Sequence, residues 1–343
     1  MKRLDPSLQL LYAELLQRCL AAMPNPRGVT FAPKVIKGRR YWYLELVVGS
    51  TRRQFSLGPE TPELLTQIQN QKDFQTQARE DAAARETLVS LLAKGGLMVP
   101  GFAEGRVLEV LSQGGVFLAG GTLVGSIAFP LMGNMLGVQW EHELYQTQDV
   151  DIASPRRIEV VFSPDAPDLE TLLLESGMGF FPIPALDRKS PSTSYKIRNQ
   201  SMQVDVLTPI QGRPTGQPVY LPHLKCHAYP VRYLEFLLED TQIVAVPFRS
   251  GFLANIPAPA RYALHKLVVA ARRPASQATK TGKDRQQAQQ LFEMLLEERP
   301  GDVWLALEAV RKMPKGFRNA LQDGIRTLPD DLARPIFEHW PAR

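Results

Sequence analysis

Asp149 and Asp151 stand two residues apart in an otherwise apolar run, Asp149-Val150-Asp151-Ile152-Ala153. Asp205 interrupts a second such run, Val204-Asp205-Val206-Leu207. β-Branched residues favour strands, and in a strand residues i and i+2 share a face about 6.6 Å apart along the chain. A third carboxylate on a neighbouring strand can then converge with the first two. Like charges held that close raise each other's pKa, and the cluster is unstable without cations. Two Mg²⁺ ions about 3.5–4 Å apart would neutralise it and clamp the attacking and leaving oxygens of an in-line displacement. Mn²⁺ is the alternative ion. The competing reading of Asp205 is a hairpin residue paired with Lys196 or Arg198.

A phosphate cradle is the second requirement of such chemistry. Upstream lies Gly120-Gly121-Thr122-Leu123-Val124-Gly125-Ser126-Ile127-Ala128-Phe129. A short strand, Thr122-Leu123-Val124, leads into Gly125-Ser126, and a helix is expected from Ser126 to Leu136 with a flaw at Pro130. Glycine allows close backbone approach, and the amides at a helix start suit an anion. Gly120-Gly121 is the rival phosphate loop. The order is strand, Gly-Ser, helix, strand with Asp-x-Asp, later strand with Asp. A lone Asp-x-Asp is a weak signal, because such pairs often sit solvated at strand ends. The ordered set is stronger.

These residues resemble the nucleotidyltransferase fold of the DNA polymerase β superfamily. Gly125-Ser126-x-Ala128-Phe129, Thr147-Gln148-Asp149-Val150-Asp151-Ile152-Ala153 and Val204-Asp205-Val206-Leu207-Thr208-Pro209 are similar to a bacterial group of nucleotidyltransferase-fold proteins. His265-Lys266-Leu267 and Lys283-Asp284-x-x-Gln287-Ala288 resemble that group's helical C-terminal part, and the Tyr41–Gly58 hairpin its N-terminal region. A more distant likeness is to the nucleotidyltransferase toxins of abortive-infection systems. The resemblance covers roughly residues 40–310. It implies that Asp149 and Asp151 bind both Mg²⁺ ions. Asp205 would complete the catalytic metal site and help deprotonate an acceptor hydroxyl. Gly125 and Ser126 would hold the β- and γ-phosphates of an NTP. One departure is the spacing: 22 residues separate Ser126 from Asp149, about twice the minimal pattern, so residues 133–146 must form an insertion.

The remaining chain supplies context. Leu8, Leu10, Leu11, Leu15, Leu16 and Leu20 recur at helical spacing over residues 7–22, and Pro24 to Gly28 stops that helix. Aromatic and β-branched residues flank Gly49-Ser50-Thr51, which predicts a hairpin of residues 41–48 and 52–58. A long polar helix is expected from Thr61 to Lys94, with room for a break, ended by Gly95-Gly96. Further helices are expected over 104–113 and 168–176. A strand is expected over 158–162, and a hairpin of 195–198 with 203–207. Residues 259–272, 282–298 and 303–312 read as helices, with a mobile basic connection from Arg273 to Gly282. The expected class is α+β: a mixed sheet flanked by helices. Its parts would be an N-terminal module (1–100), a nucleotidyltransferase domain (101–256) and a helical C-terminal domain (257–343).

Charge and composition narrow the partners. The first 100 residues hold 14 Lys and Arg against 9 Asp and Glu, and the rest of the chain holds 26 of each. The whole net charge of +5 is therefore N-terminal. A basic hairpin carrying Tyr41, Trp42 and Tyr43 suits RNA or tRNA as acceptor, since aromatics stack on bases. A protein hydroxyl and a small molecule are the other acceptors. No run of about 18 apolar residues predicts a membrane span. The first residues lack the apolar core of a signal peptide, and two cysteines make no disulfide framework. A cytoplasmic chain with free Cys19 and Cys226 is expected.

Several side chains are secondary candidates. Lys196 and Arg198 could reach a triphosphate or the acceptor, Lys266 could contact phosphate, and Lys283 is a weaker case. His223, Cys226 and His227 have spacing that invites zinc, but Pro222 precedes them and no second ligand cluster lies nearby. His265 reads as a packed histidine. No Gly-x-Ser-x-Gly elbow occurs. The expected activity is Mg²⁺-dependent transfer of a nucleoside monophosphate from an NTP to a hydroxyl, in a toxin or defence setting with a protein partner or antitoxin. The alternative is an inactive nucleotide- or RNA-binding module on the same fold.

Overall fold

The computed structural model describes residues 1–22, 29–36, 38–48, 51–141, 149–156, 168–185, 190–212 and 216–341. The expected stop at 24–28, the 158–162 strand, the Gly49-Ser50 turn and part of the 133–146 insertion lie outside the described residues.

A short strand, β1 (Lys2–Arg3), precedes helix α1 (Pro6–Ala21). Asp5 starts this helix by accepting the Ser7 N–H, and Pro6 is preset for its first turn. A three-stranded antiparallel sheet follows, built from β2 (Val29–Ile36), β3 (Arg39–Val48) and β4 (Thr51–Pro59) in that order. The sequence predicts only the last two strands as a hairpin. Pro33 argues against a strand at 29–36, yet β2 lies on the sheet edge, where a missing N–H is tolerated. Gly38 makes the turn between β2 and β3 at φ +75°. Helix α2 (Pro62–Lys94) then runs for 33 residues without a break. Beyond Pro62 it contains neither Gly nor Pro, and it is rich in Ala, Gln and Leu.

The middle of the chain holds α3 (Phe102–Gln113), β5 (Thr122–Val124), a 3₁₀ turn (Gly125–Ile127), α4 (Ala128–Leu136) and β6 (Val138–Gln139). Pro130 falls in the first turn of α4, where the lost N–H costs little. Next come β7 (Asp149–Ala153), α5 (Leu169–Leu174), β8 (Phe180–Pro182), β9 (Ser194–Ile197) and β10 (Gln203–Pro209). The segment ends with β11 (Val219–Leu221), β12 (Cys226–Val231), α6 (Leu234–Leu238), β13 (Thr241–Val246) and β14 (Phe252–Pro257). The C-terminal part is helical: α7 (Pro259–Arg272), α8 (Ala278–Glu298), α9 (Pro300–Val310), α10 (Lys315–Ile325) and α11 (Asp330–Glu338). The connection expected to be mobile at 273–282 is a 3₁₀ turn (Ala275–Gln277) followed by the first turn of α8.

Among the described residues the central sheet has seven strands, ordered β11-β12-β10-β7-β5, with β9 on β10 and β8 on β9. β10 is parallel to both β7 and β12, and antiparallel to β9. Strand β5 is antiparallel to β7. This is the mixed sheet flanked by helices that the α+β reading expects. Val150, Ile152, Val204 and Val206 are fully buried in a core that continues into α7, α8 and α10 through Leu264, Leu267, Phe292 and Phe317. A second apolar cluster joins α1 and the end of α2 to β13 through Leu15, Leu88, Leu92 and Ala245.

Leu92 is fully buried in that second cluster. Leu92→Ala is expected to cost about 2–5 kcal/mol in a chemical unfolding transition, as a cavity left in a packed core does.

Candidate active site

Parallel pairing of β7 and β10 sets Asp205 opposite Asp151 and Gln203 opposite Asp149. Val150 and Ile152 alternate with the aspartates and are buried on the other face. Asp149, Asp151 and Asp205 therefore share the face that is not core. Asp149 is exposed, and Asp151 and Asp205 are half-buried. Gln203 Nε2 donates to both carboxylate oxygens of Asp205, at 2.8 and 3.0 Å. Asp205 is thus held by Gln203 on its own strand rather than paired with Lys196 or Arg198. Burial pushes Asp151 up to about 7, and the charges of Asp205 and then Asp149 add to this. Lys266 and Lys280 oppose the shift.

The Gly-Ser turn closes on the same carboxylate. Val124 pairs with Asp151 at the end of β5, and the chain then turns through Gly125 at φ +66°. A Cβ at Gly125 would run into the Asp151 carboxylate, so only glycine fits both the angle and the space. Ser126 follows inside the 3₁₀ turn. The carbonyl of Gly125 accepts a 2.8 Å hydrogen bond from the Tyr262 hydroxyl on α7. Tyr262 is buried and also lies 3.2 Å from Gln287 Oε1 on α8. Gly120 and Gly121 have a different setting. Their N–H groups donate to the carbonyls of Phe117 and Val116, closing the turn after α3. The Gly121 carbonyl accepts from the Asn255 amide.

Helices α7 and α8 bring a basic cluster toward the aspartates. Lys266 Nζ donates to Asp284 Oδ1 at 2.7 Å, and Arg273 Nε donates to Asp284 Oδ2 at 2.9 Å. Asp284 and Lys266 are both buried. Lys283 is held below the usual lysine range, first by burial and then by the charge of Lys266. Asp284 and Asp149 pull it the other way, which sets Lys283 within electrostatic reach of the acidic face. Lys196 pairs with Gln203, so its side chain shares the face of the aspartates. Arg198 is exposed, with its guanidinium 5.9 Å from the ring centre of Phe181.

The secondary histidines and cysteine have local roles. His223 Nε2 is 2.8 Å from Ser154 Oγ in the core. Cys226 is buried and its thiol is pushed up to about 12 by that burial, while His227 points to the opposite face of β12 and meets the Tyr220 ring at a tilt, 5.1 Å between ring centres. These three do not converge. His265 is buried and its imidazole is pushed down to about 4.

Sequence reasoning passed over Gln203, Tyr262, Asp284 and Arg273 as functional residues. Gln203 carried a usable signal, since it lies two residues before Asp205 and so on the same strand face. Tyr262, Asp284 and Arg273 reach the site only through the packing of α7 and α8.

Among the described residues, no three His, Cys, Asp or Glu side chains are gathered in a ready-made metal cage. The donor set still fits hard divalent cations. Three carboxylates share one sheet face in matched register, and glycine leaves the Asp151 carboxylate unobstructed at Gly125.

A nucleotidyltransferase family model matches residues 103–311, more than half of the chain, and the chain belongs to that family. It is therefore a transferase enzyme that acts on nucleotides. Comparison with curated proteins gave no match, and comparison with solved structures gave none. Among the described residues no helix is long and apolar enough to cross a membrane.

Two outcomes are expected from the site. Tyr262→Phe frees the Gly125 carbonyl and should lower stability by about 1 kcal/mol. It should also raise the nucleotide KM several-fold, read from steady-state kinetics. Asp151 binds its proton more tightly in the folded chain than in the unfolded one. In EDTA its contribution to stability is full below pH 3.8 and is lost as pH rises through about 7. Asp151→Asn should then raise the thermal midpoint more at pH 8 than at pH 5. Added Mg²⁺ should stabilise the wild type at pH 8 and leave the variant unmoved.

Proposed function

From family membership as the premise, we propose that this protein moves a nucleoside monophosphate from an NTP to a hydroxyl acceptor with Mg²⁺ as cofactor. The observation that carries the proposal is the register of Asp205 with Asp151, beside a glycine turn that admits no side chain. Asp149, Asp151 and Asp205 would hold the divalent ions, which supply charge neutralisation and polarisation of the reacting oxygens when bound. Mn²⁺ is a second ion with the same ligand preferences.

The chain's own residues do the rest. Gly125 and Ser126 present a bare turn for the β- and γ-phosphates. Lys266, Lys280 and Lys283 supply positive charge that offsets the leaving pyrophosphate, and Asp284 keeps Lys266 and Arg273 in place. Lys196, on the face of the aspartates, and Arg198 would reach the triphosphate or the acceptor. Asp205, oriented by Gln203, accepts the hydroxyl proton as the acceptor oxygen bonds to the α-phosphorus. The bond from that phosphorus to the bridging oxygen breaks, and pyrophosphate leaves. In this reading residues 101–256 provide the acidic sheet, 257–343 the basic wall and 1–100 an accessory module. An NTP donor and two free, buried thiols support a cytoplasmic setting. RNA or tRNA, a protein hydroxyl and a small molecule are the acceptor classes to test.

Each α-labelled NTP, incubated in turn with Mg²⁺ and with RNA, protein or small-molecule acceptors, should label one acceptor class. Asp149→Ala/Asp151→Ala should lower that label at least a hundredfold. NTP binding without label from any donor would sink the transfer reading.

A further inference from the structure

The sheet formed by β2, β3 and β4 is not used by the acidic site, yet it holds the chain's charge imbalance. Residues 29–59 contain six Lys and Arg and one acid, Glu45, a surplus equal to the net charge of the entire chain. The rest of the protein is electrically balanced.

Strand register sorts these residues onto two faces. Trp42 is buried, donates its indole N–H to Glu60 at 2.9 Å and lies under Lys72 of α2, 5.3 Å from ring centre to Nζ. Its face is turned toward α2. The opposite face carries Arg39, Tyr41 and Tyr43 from β3, with Lys34 paired to Tyr41 and Ser56 paired to Tyr43. Both tyrosines are partly exposed, and Arg39, Lys34, Gln54 and Ser56 are exposed. Lys34 Nζ lies 4.9 Å from the ring centre of Tyr43 and donates to Gln54 Oε1 at 2.7 Å. Gln54 in turn donates to Glu45 at 2.9 Å, which ties the single acid into the polar edge of the patch.

Two tyrosines in alternate positions, flanked by cations, on an open antiparallel face match the needs of an unpaired polynucleotide. Bases stack on aromatic rings, and phosphates meet Lys and Arg. A duplex offers no free base faces, and an acidic peptide has no rings that require two spaced tyrosines. We propose that this face binds single-stranded RNA as the acceptor strand. The role of acceptor rests on the transfer reading above. The binding itself does not.

Fluorescence anisotropy with a labelled single-stranded RNA of about 12 nucleotides tests this on the full chain. Tyr41→Leu/Tyr43→Leu keeps the apolar bulk and should weaken binding about tenfold or more. Lys34→Gln/Arg39→Gln keeps the tyrosines and should reduce the slope of log K against log salt by about 1.4. Thermal midpoints equal to the wild type establish that both variants fold. The proposal is overturned if both variants bind as the wild type does. It is also overturned if DNA of the same sequence, or duplex RNA, binds as tightly. Asp149→Ala/Asp151→Ala should retain RNA affinity. RNA binding through these residues with no label transfer would end the transfer reading alone. Label reaching RNA equally in the tyrosine variant would end the surface proposal alone.

Discussion

The parallel pairing of β7 with β10 is the constraint on which the site depends. It places Asp151 and Asp205 side by side, where their charges repel and burial raises the cost further. Isolated strands would not tolerate this. The pairing is maintained from the other face, where Val150, Ile152, Val204 and Val206 are buried in the main core. Hydrophobic burial of those four side chains, at roughly 1.5–3 kcal/mol each, holds the acidic face together. One strand pair thus separates a dry face that stabilises from a charged face that holds the aspartates.

The helical part answers that charge and fixes the turn beside it. Tyr262 ties the Gly125 carbonyl to α7, so the conformation of the glycine turn is coupled to the packing of a helix far along the chain. Asp284 is buried between Lys266 and Arg273. A buried ion group of this kind adds little net stability, because desolvation offsets much of the attraction. Its effect is orientation: it fixes Lys266, whose charge reaches Asp151, and ties Arg273 to the same carboxylate. The same region carries Lys280 and Lys283, so negative charge on the sheet is faced by positive charge on the helices.

Much of the acidic site was legible from strand periodicity. Asp-x-Asp in an apolar run and Asp in a second run predict one shared face, and β7 and β10 have the expected extents within two residues. Helix α7 agrees with its apolar spacing. The basic connection after Arg273 was misread, because its Pro, Ser, Thr and Gly composition looks like a loop while α8 already begins at Ala278. Strand β2 escapes the sequence pattern because Pro33 and Lys34 disguise it, and only its place at a sheet edge makes the proline harmless. Gln203, at i−2 from Asp205, is legible as a neighbour on the same strand face, but the pattern does not say that its amide would grip the Asp205 carboxylate.

Local chemistry in the chain determined the strand identities of the acidic runs, the Gly-Ser break after the short strand at 122–124, and the concentration of charge in residues 29–59. Those follow from side-chain alternation, backbone sterics and simple counting, all short-range properties. Tertiary structure decided which strands are neighbours, that β10 lies parallel to β7 in a register matching Asp205 with Asp151, and that Tyr262 closes on Gly125 137 residues away. It also decided that Gly120 and Gly121 spend their N–H groups on the turn after α3. Such contacts join residues remote in sequence, and their partners are selected by the packing of the whole core rather than by any local preference.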